Sequence, residues 1–414
     1  MTEINRPFHV LFLSYDGMTD PLGQSQVLPY LMELRKKGYC ITLMSFEKKI
    51  PFEKNKSTIQ QLIDDSGIEW IPMNYHKKPP IISTILDIQL MKLKISSINK
   101  KNKIDLVHCR GYITAFGGMW MKKKWGTPFL FDMRGFFPDE RVEGGIWNQK
   151  NPLYKSIYDF FKNKEKDFFL HADHVISLTI EGEKTIRSFP YIPSDWKCTV
   201  IPCCVDRNHF QQKNVNHEIT ENFISQFNLT RFSSKWFYLG SVGTWYMLPE
   251  MLDFFKVVLE NDEKSLLAFF THDSADYIQH ECEKRSIPLN NIIIHPLQRK
   301  EIPSVISLFD AALFFIKPVF SKKASSPTKQ GEIMSMGIPI VCNADVGDTE
   351  LIVQKYKAGI CIKHFNRDEY LRAYREIKAG NYDVSLSVQG AEEWYALEKG
   401  VNAYHNVYKQ LLLS

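Results

Sequence analysis

Lys329 and Glu332 stand three residues apart in the stretch Ser325-Ser326-Pro327-Thr328-Lys329-Gln330-Gly331-Glu332-Ile333-Met334-Ser335-Met336-Gly337-Ile338-Pro339-Ile340-Val341. Apolar runs bracket the pair, Ala311 to Ile316 before it and Ile338 to Cys342 after it. Short apolar runs bounded by Gly or Pro read as buried parallel strands, so the segment between them is a loop leading into a short helix. Pro327 suits a helix start, and Gly337-Ile338-Pro339 a helix stop followed by a strand. A cation and an anion thus fall in the first turn after a strand's carboxyl end. Open α/β sheets bind ligands at that rim, and helix N-termini there favour phosphate. A solvated pair on a helix surface fits the same two residues equally well.

Other segments of the same kind recur. Gly17 and Gly23 lie in Asp16 to Ser25, which follows a first strand; its glycines permit unusual backbone and the next helix offers amides to an anion, although an ordinary βα turn fits too. It is neither GxGxxG nor a Walker motif, which disfavours dinucleotide and P-loop chemistry. Asp132, Arg134, Asp139, Glu140 and Arg141 leave another strand end beside aromatics, an arrangement for sugar hydroxyls and phosphates or for a structural ion-pair cluster. His108 and Arg110 end a further strand, where Arg110 favours an anion and His108 is either packed or working. Gly240-Ser241-Val242-Gly243-Thr244-Trp245 is a strand running into a Gly-bracketed turn, and His272 and Leu297 end the two strands after it. No HExxH or clustered His/Asp spacing supports a metal site.

The elements that must position these residues alternate. Strands are expected at His9 to Tyr15, Cys40 to Phe46, Ile68 to Met73, Leu106 to Cys109, Pro128 to Phe131, His174 to Leu178 and Cys198 to Cys203. Helices are expected at Gln24 to Lys37, about Ile82 to Ile98, Gly111 to Lys124 and Leu153 to Leu170. Residues 206–235 read as a polar linker with a short helix at Ile219 to Phe227. Alternation then restarts with strands at Trp236 to Val242, Leu266 to Thr271, Asn291 to His295, Ala311 to Ile316, Ile338 to Cys342 and Gly359 to Ile362. A long terminal helix is expected from Glu392 to Leu413. Alternating strands and helices argue for parallel sheets covered on both faces. The expected fold class is α/β, with two Rossmann-like doubly wound domains facing a cleft.

Totals agree with that. At 414 residues two domains are the default. A hydrophobic share of 44% and a charged share of 24% suit a globular protein. A net charge of +5, with no RNP, zinc-finger or basic-helix pattern, gives no reason to expect nucleic acid. The cysteines form no CxxC pair, so reduced buried thiols are expected rather than disulfides or zinc. An apolar strand begins within nine residues of Met1, so no signal peptide is expected. No run of eighteen apolar residues occurs.

Taken together, these residues resemble GT-B glycosyltransferases of the family-4 type. The late segment Glu332-Ile333-Met334-Ser335-Met336-Gly337-Ile338-Pro339-Ile340-Val341 is similar to that family's Glu-x-Met-x-x-Gly-x-Pro-Ile-Val. Similar too, in order, are Tyr15-Asp16-Gly17, Asp20-Pro21-Leu22-Gly23-Gln24-Ser25-Gln26, Asp132-Met133-Arg134-Gly135, Ile201-Pro202-Cys203-Cys204-Val205-Asp206 and Gly240 to Tyr246. The resemblance implies residues 1–205 as an acceptor domain, 206–392 as a nucleotide-sugar domain, and a helix at about 393–414 packing back on the first. It implies retaining transfer from a nucleotide diphosphate sugar without metal or other cofactor. Glu332 would then hold the ribose hydroxyls and Lys329 the diphosphate. Gly23, Gly243, Thr244, His272 and Leu297 would lie on the donor side, and His108, near the donor sugar, would be catalytic together with Lys329. Arg110, Asp132, Arg134 and Glu140 would face the acceptor. Two departures stand out: Ala324 occupies the place of a frequent second glutamate, and Thr244-Trp245 replace a usual Arg and Lys.

The acceptor expected is a glycan or a lipid-linked one in cell-surface polysaccharide or lipopolysaccharide assembly. Seven lysines against one acid, Asp87, lie between Lys77 and Lys103, interleaved with Ile, Leu and Met. Such a segment suits an anionic membrane surface or a solvated helix face. The protein is expected in the cytoplasm, on the membrane's inner face if that segment binds lipid. A nucleotide-sugar epimerase of the same fold and a non-catalytic nucleotide-sugar or glycan-binding protein are the alternatives.

Overall fold

Every strand pairing within the two sheets is parallel in the computed structural model, which describes residues 6–413. The chain divides into two units, Met1–Pro202 with Leu397–Ser414, and Cys203–Ala396. The first runs β1 (His9–Ser14), α1 (Pro21–Gln26), α2 (Leu28–Lys36), β2 (Cys40–Glu47), α3 (Lys49–Asp65), β3 (Glu69–Asn74) and α4 (Ile82–Lys101). It continues with β4 (Leu106–Arg110), α5 (Tyr112–Trp125), β5 (Phe129–Asp132), α6 (Phe137–Glu143), α7 (Pro152–His171), β6 (His174–Ser177), α8 (Ile180–Arg187) and β7 (Cys198–Val200). The seven-stranded sheet is ordered β3-β2-β1-β4-β5-β6-β7. Its strands β1, β4, β5 and β6 are buried along their whole length, as a sheet covered on both faces requires.

The second unit holds α9 (His217–Phe227), β8 (Ser234–Leu239), α10 (Leu248–Asn261), β9 (Ser265–Phe270), α11 (Ala275–Lys284), β10 (Ile292–Ile294), α12 (Ile302–Ile306) and β11 (Ala311–Leu313). After these come α13 (Thr328–Ser335), β12 (Ile340–Asn343), α14 (Thr349–Lys355), β13 (Gly359–Ile362), α15 (Arg367–Lys378) and α16 (Val384–Gly390). Its six strands are ordered β10-β9-β8-β11-β12-β13. Both orders reverse direction beside the first strand of their sheet, between β1 and β4 and between β8 and β11. Ligands of doubly wound sheets bind at the carboxyl ends there.

Four expectations change. The helix expected over Gln24 to Lys37 is two, α1 and α2, parted at Val27; Pro29 has no N–H for the turn before it. Helix α3 has no counterpart in the sequence reading, because only Ile59 and Ile63 of its residues are buried and its apolar period is faint. Residues 206–235 are no linker: Phe210, Phe223, Leu229 and Phe232 are buried in the core of the second unit. The long terminal helix is interrupted. A π-helical turn, Ala391–Tyr395, ends at the extended Ala396, and α17 (Leu397–Leu413) follows as part of the first unit.

Candidate functional site

In the second unit the loop after β8 meets the start of α13. Lys329 is the second residue of that helix and is 8% exposed. A cation in a helix's first turn opposes the helix dipole, so local electrostatics do not explain it. Its ammonium donates to the Tyr238 hydroxyl at 3.0 Å and lies 3.6 Å from the Tyr246 ring centroid and 4.1 Å from that of Tyr238. Tyr238 donates to the Ser241 carbonyl. A Cβ added to Gly240, which has φ +116°, would lie 3.2 Å from the ammonium, so glycine permits the close approach. Among the described residues no carboxylate forms an ion pair with Lys329. Burial therefore drives its pKa well down, with Glu332 as the weaker opposing influence.

Glu332, one turn on, is also buried, and burial raises its pKa against the pull of Arg299 and Lys329. Its nearest cation is Arg299, half-exposed, with Nη1 3.8 Å from Glu332 Oε1. The two sequence-predicted residues are thus held in one helix turn, each short of a full partner. The loop itself is fixed from the side: Asp273 accepts from Ser241 Oγ at 2.7 Å and from Val242 N at 2.6 Å. Gly243 and Thr244 form its outer edge, Thr244 at φ +38°, a conformation a β-branched residue resists. His272 is exposed two residues beyond β9, whereas Leu297 is buried in the core beyond β10.

In the first unit His108, Arg110, Asp132 and Arg134 converge at the ends of β4 and β5, where Arg110 is in register with Asp132. His108 is 1% exposed. Its Nδ1 lies 2.7 Å from the Tyr408 hydroxyl, and its Nε2 3.4 Å from Asp132 Oδ2. A carboxylate only accepts, so Nε2 carries the proton and Nδ1 accepts from Tyr408. Tyr404, on α17 like Tyr408, donates to the same Asp132 oxygen at 2.9 Å. Burial lowers the His108 pKa, which keeps the ring neutral. Burial also pushes Asp132 up, but Arg134, then His108 and Arg110, outweigh it and bring it to about 2. The side chain of Arg110 is nearly buried, with Nε 3.5 Å from Asp16 Oδ2.

Gly23 lies on α1 and Glu140 on α6. A Cβ on Gly23 would come within 2.2 Å of the Gly17 carbonyl oxygen, so this glycine lets α1 pack on the loop after β1. Glu47, at the end of β2, holds the loop by accepting from Met18 N at 2.7 Å, Thr19 N at 3.1 Å and Thr19 Oγ1 at 2.6 Å. Glu140 lies on α6 beside Gly135, which has φ +132°. Its neighbour Asp139 is structural, accepting from Tyr158 at 2.9 Å and from Lys162 at 3.0 Å and so fastening α6 to α7.

The sequence assigned no site role to Tyr238, Tyr246, Arg299, Glu47, Tyr404 or Tyr408. Two tyrosines flanking the Gly-bracketed turn were a usable signal for the Lys329 cradle. Nothing local marks Glu47 or the α17 tyrosines, whose partners come from distant strands. Among the described residues, no group of three His, Cys, Asp or Glu side chains is arranged to hold a metal.

Residues 27–209 match the family described as Glycosyltransferase Family 4. No curated protein matches the chain. Among solved structures, a glycosyltransferase from Rickettsia africae superposes with a TM-score of 0.71 at 15% identity, covering 98% of this chain and 99% of that one. Sucrose-phosphate synthase from Thermosynechococcus elongatus gives 0.74 at 12% identity, covering 98% and 99%. HepE of Anabaena, in complex with UDP and glucose, gives 0.68 at 10% identity, covering 97% and 100%. The fold is that of the GT-B glycosyltransferases, and the chain is similar to them along nearly its whole length.

Proposed function

We propose that this chain, a family-4-like protein of the GT-B fold, transfers a sugar from a nucleotide diphosphate sugar to a glycan or lipid-linked acceptor in cell-surface polysaccharide assembly. The observation that carries this reading is the buried amine of Lys329 at the start of α13, at a doubly wound sheet's carboxyl rim, with no carboxylate ion-paired to it among the described residues. A diphosphate arriving there supplies the missing anion and restores the charge that burial disfavours. As the bond to the sugar breaks, negative charge grows on the departing diphosphate, and a preorganised cation stabilises that charge more than the ground state.

Glu332 accepts hydrogen bonds from the ribose hydroxyls, while Gly243 and Thr244 line the approach to the phosphates. Arg110, Asp132, Arg134 and Glu140 act on the acceptor. His108, enclosed by Tyr408 and Asp132, acts as a positioning residue for Asp132. Transfer proceeds with retention by departure and attack on one face of the sugar, with the leaving phosphate as base and no metal or other cofactor. HepE was solved with UDP-glucose, so uridine donors are the first to test.

The epimerase reading rests on a specific likeness, since a UDP-N-acetylglucosamine 2-epimerase superposes with a TM-score of 0.59 at 12% identity. Incubation with a nucleotide-sugar panel, with and without acceptor extract, separates the readings. Acceptor-dependent nucleotide release is expected. Donor interconversion without acceptor would establish the epimerase, and binding with neither would leave a binding protein. A trapped glycosyl-enzyme adduct would overturn the one-face mechanism.

A further inference from the structure

Helix α4 is apolar on two opposite faces. Met91, Ile95 and Ile98 point inward, and a Cβ on Gly117 of α5 would lie 3.1 Å from the Met91 methyl and 3.2 Å from Ile95 Cδ1. On the other side Ile82, Ile85, Leu86 and Leu93 recur at helical spacing, yet are between 45% and 69% exposed. Helix α7, joined to the same layer through stacked Phe116 and Phe160 rings, adds Leu153 and Phe160, 57% and 48% exposed. A helix whose second aliphatic stripe is left this exposed by the described residues offers a face for a partner.

Charge indicates which one. The only acid between Lys77 and Lys103 is Asp87, which is fully buried and accepts from Tyr15 at 2.8 Å. Every charge this segment turns outward is therefore a lysine. A symmetric contact with a second copy would set those lysines against each other, whereas anionic lipid headgroups neutralise them while the aliphatic stripe enters the acyl boundary. The Asp87–Tyr15 bond also ties the first turns of α4 to the residue that follows β1, at the sheet's carboxyl rim. No helix of the described residues is long and apolar enough to cross a membrane, so contact would be from one side.

We propose that α4, supported by α7, inserts its outer aliphatic stripe into an anionic bilayer and so holds the first unit's carboxyl rim at the membrane. This deepens the transferase reading by making a membrane-anchored lipid the acceptor class. The full chain should co-sediment with phosphatidylcholine vesicles containing phosphatidylglycerol, weakly with phosphatidylcholine alone, and less at high salt. The Ile82→Ser/Ile85→Ser/Leu93→Ser variant should lose about tenfold or more in vesicle partitioning. Leu351→Ser, an exposed aliphatic of the second unit, should partition like the parent. Circular dichroism and a donor-binding titration, both unchanged, would show that the triple variant is folded. Equal sedimentation of parent and triple variant would overturn the proposal. So would lipid-free self-association of the parent that the variant abolishes, which would assign the face to a second copy. Vesicle binding is read without turnover, so its failure leaves the transferase reading intact, and absent turnover in a vesicle-binding protein fails that reading alone.

Discussion

The Lys329 ammonium hands a hydrogen bond to the Tyr238 hydroxyl at 3.0 Å, and Tyr238 hands one on to the Ser241 carbonyl. A cation on one element is thereby chained to the loop that opens the second sheet. Both aromatic faces beside it supply weak attraction, about 0.5–2 kcal/mol each. Neither supplies a counter-charge.

Replacing Lys329 by Met keeps most of the buried volume and removes the ammonium. Charged hydrogen bonds contribute about 1.5–3 kcal/mol, so affinity for the nucleotide diphosphate should fall roughly tenfold to a hundredfold. The ligand-free variant should unfold at higher temperature than the parent, because a buried amine whose charged form burial disfavours is gone. Titration calorimetry and a melting curve check both. Unchanged affinity would remove Lys329 from the donor site.

Proton uptake gives a second handle on the same residue. Its folded pKa lies below the ordinary lysine value, so the native state binds fewer protons than the unfolded chain between those two values. Stability should therefore rise with pH through that window. Binding a diphosphate should draw a proton in. Calorimetry in two buffers of different ionisation enthalpy measures this, and Lys329→Met should abolish it.

Glycines at the two loops should respond differently. Gly23→Ala meets backbone at 2.2 Å and should destabilise the protein by about 1–3 kcal/mol. A Cβ on Gly243 finds nothing nearer than Ser241 Oγ at 3.7 Å, so Gly243→Ala should fold like the parent. Its donor affinity should nonetheless drop if phosphates pass there. Denaturant midpoints and donor titrations of both variants settle the contrast.

Acid should loosen the first unit through His108 and Asp132. The His108 pKa is below its ordinary 6.5, so the unfolded chain binds more protons and stability falls as pH drops through the window beneath that value. Asp132, at about 2 against an ordinary 3.8, contributes stability that is complete above 3.8 and is lost towards pH 2. Asp132→Asn removes the counter-charge of Arg134 and Arg110 and should cost about 3 kcal/mol at neutral pH. Denaturant midpoints against pH check it: the variant should show a flatter loss in the lower window.

The alternation of strands was legible because buried parallel strands are continuous apolar runs, as in Val10 to Leu13 and Ile340 to Cys342. Gly337 read as a helix stop and does adopt φ +70° just past α13. Less was legible where an element's fate depends on something remote. Phe210, Phe223 and Phe232 look scattered in a polar segment and are gathered only by the second core. Lys329 and Glu332 became candidates from their place beside a strand end. Their surroundings were not, because Tyr238 and Arg299 reach them across 91 and 33 residues of chain, respectively.

Glu47 and Asp273 occupy equivalent places in the two sheets. Each lies at or just beyond the end of the strand next to its sheet's first strand and accepts from backbone N–H of the loop that follows that first strand, Glu47 from Met18 and Thr19 and Asp273 from Val242. A carboxylate from the neighbouring strand thus acts as a built-in template for the turn. A ligand reaching either rim meets a loop that is already ordered, and little conformational entropy remains to be lost on association. Discrimination between ligands then rests on the side chains around the turn rather than on its folding. Relaxing Glu47 or Asp273 to alanine would turn two rigid receptors into adaptable ones.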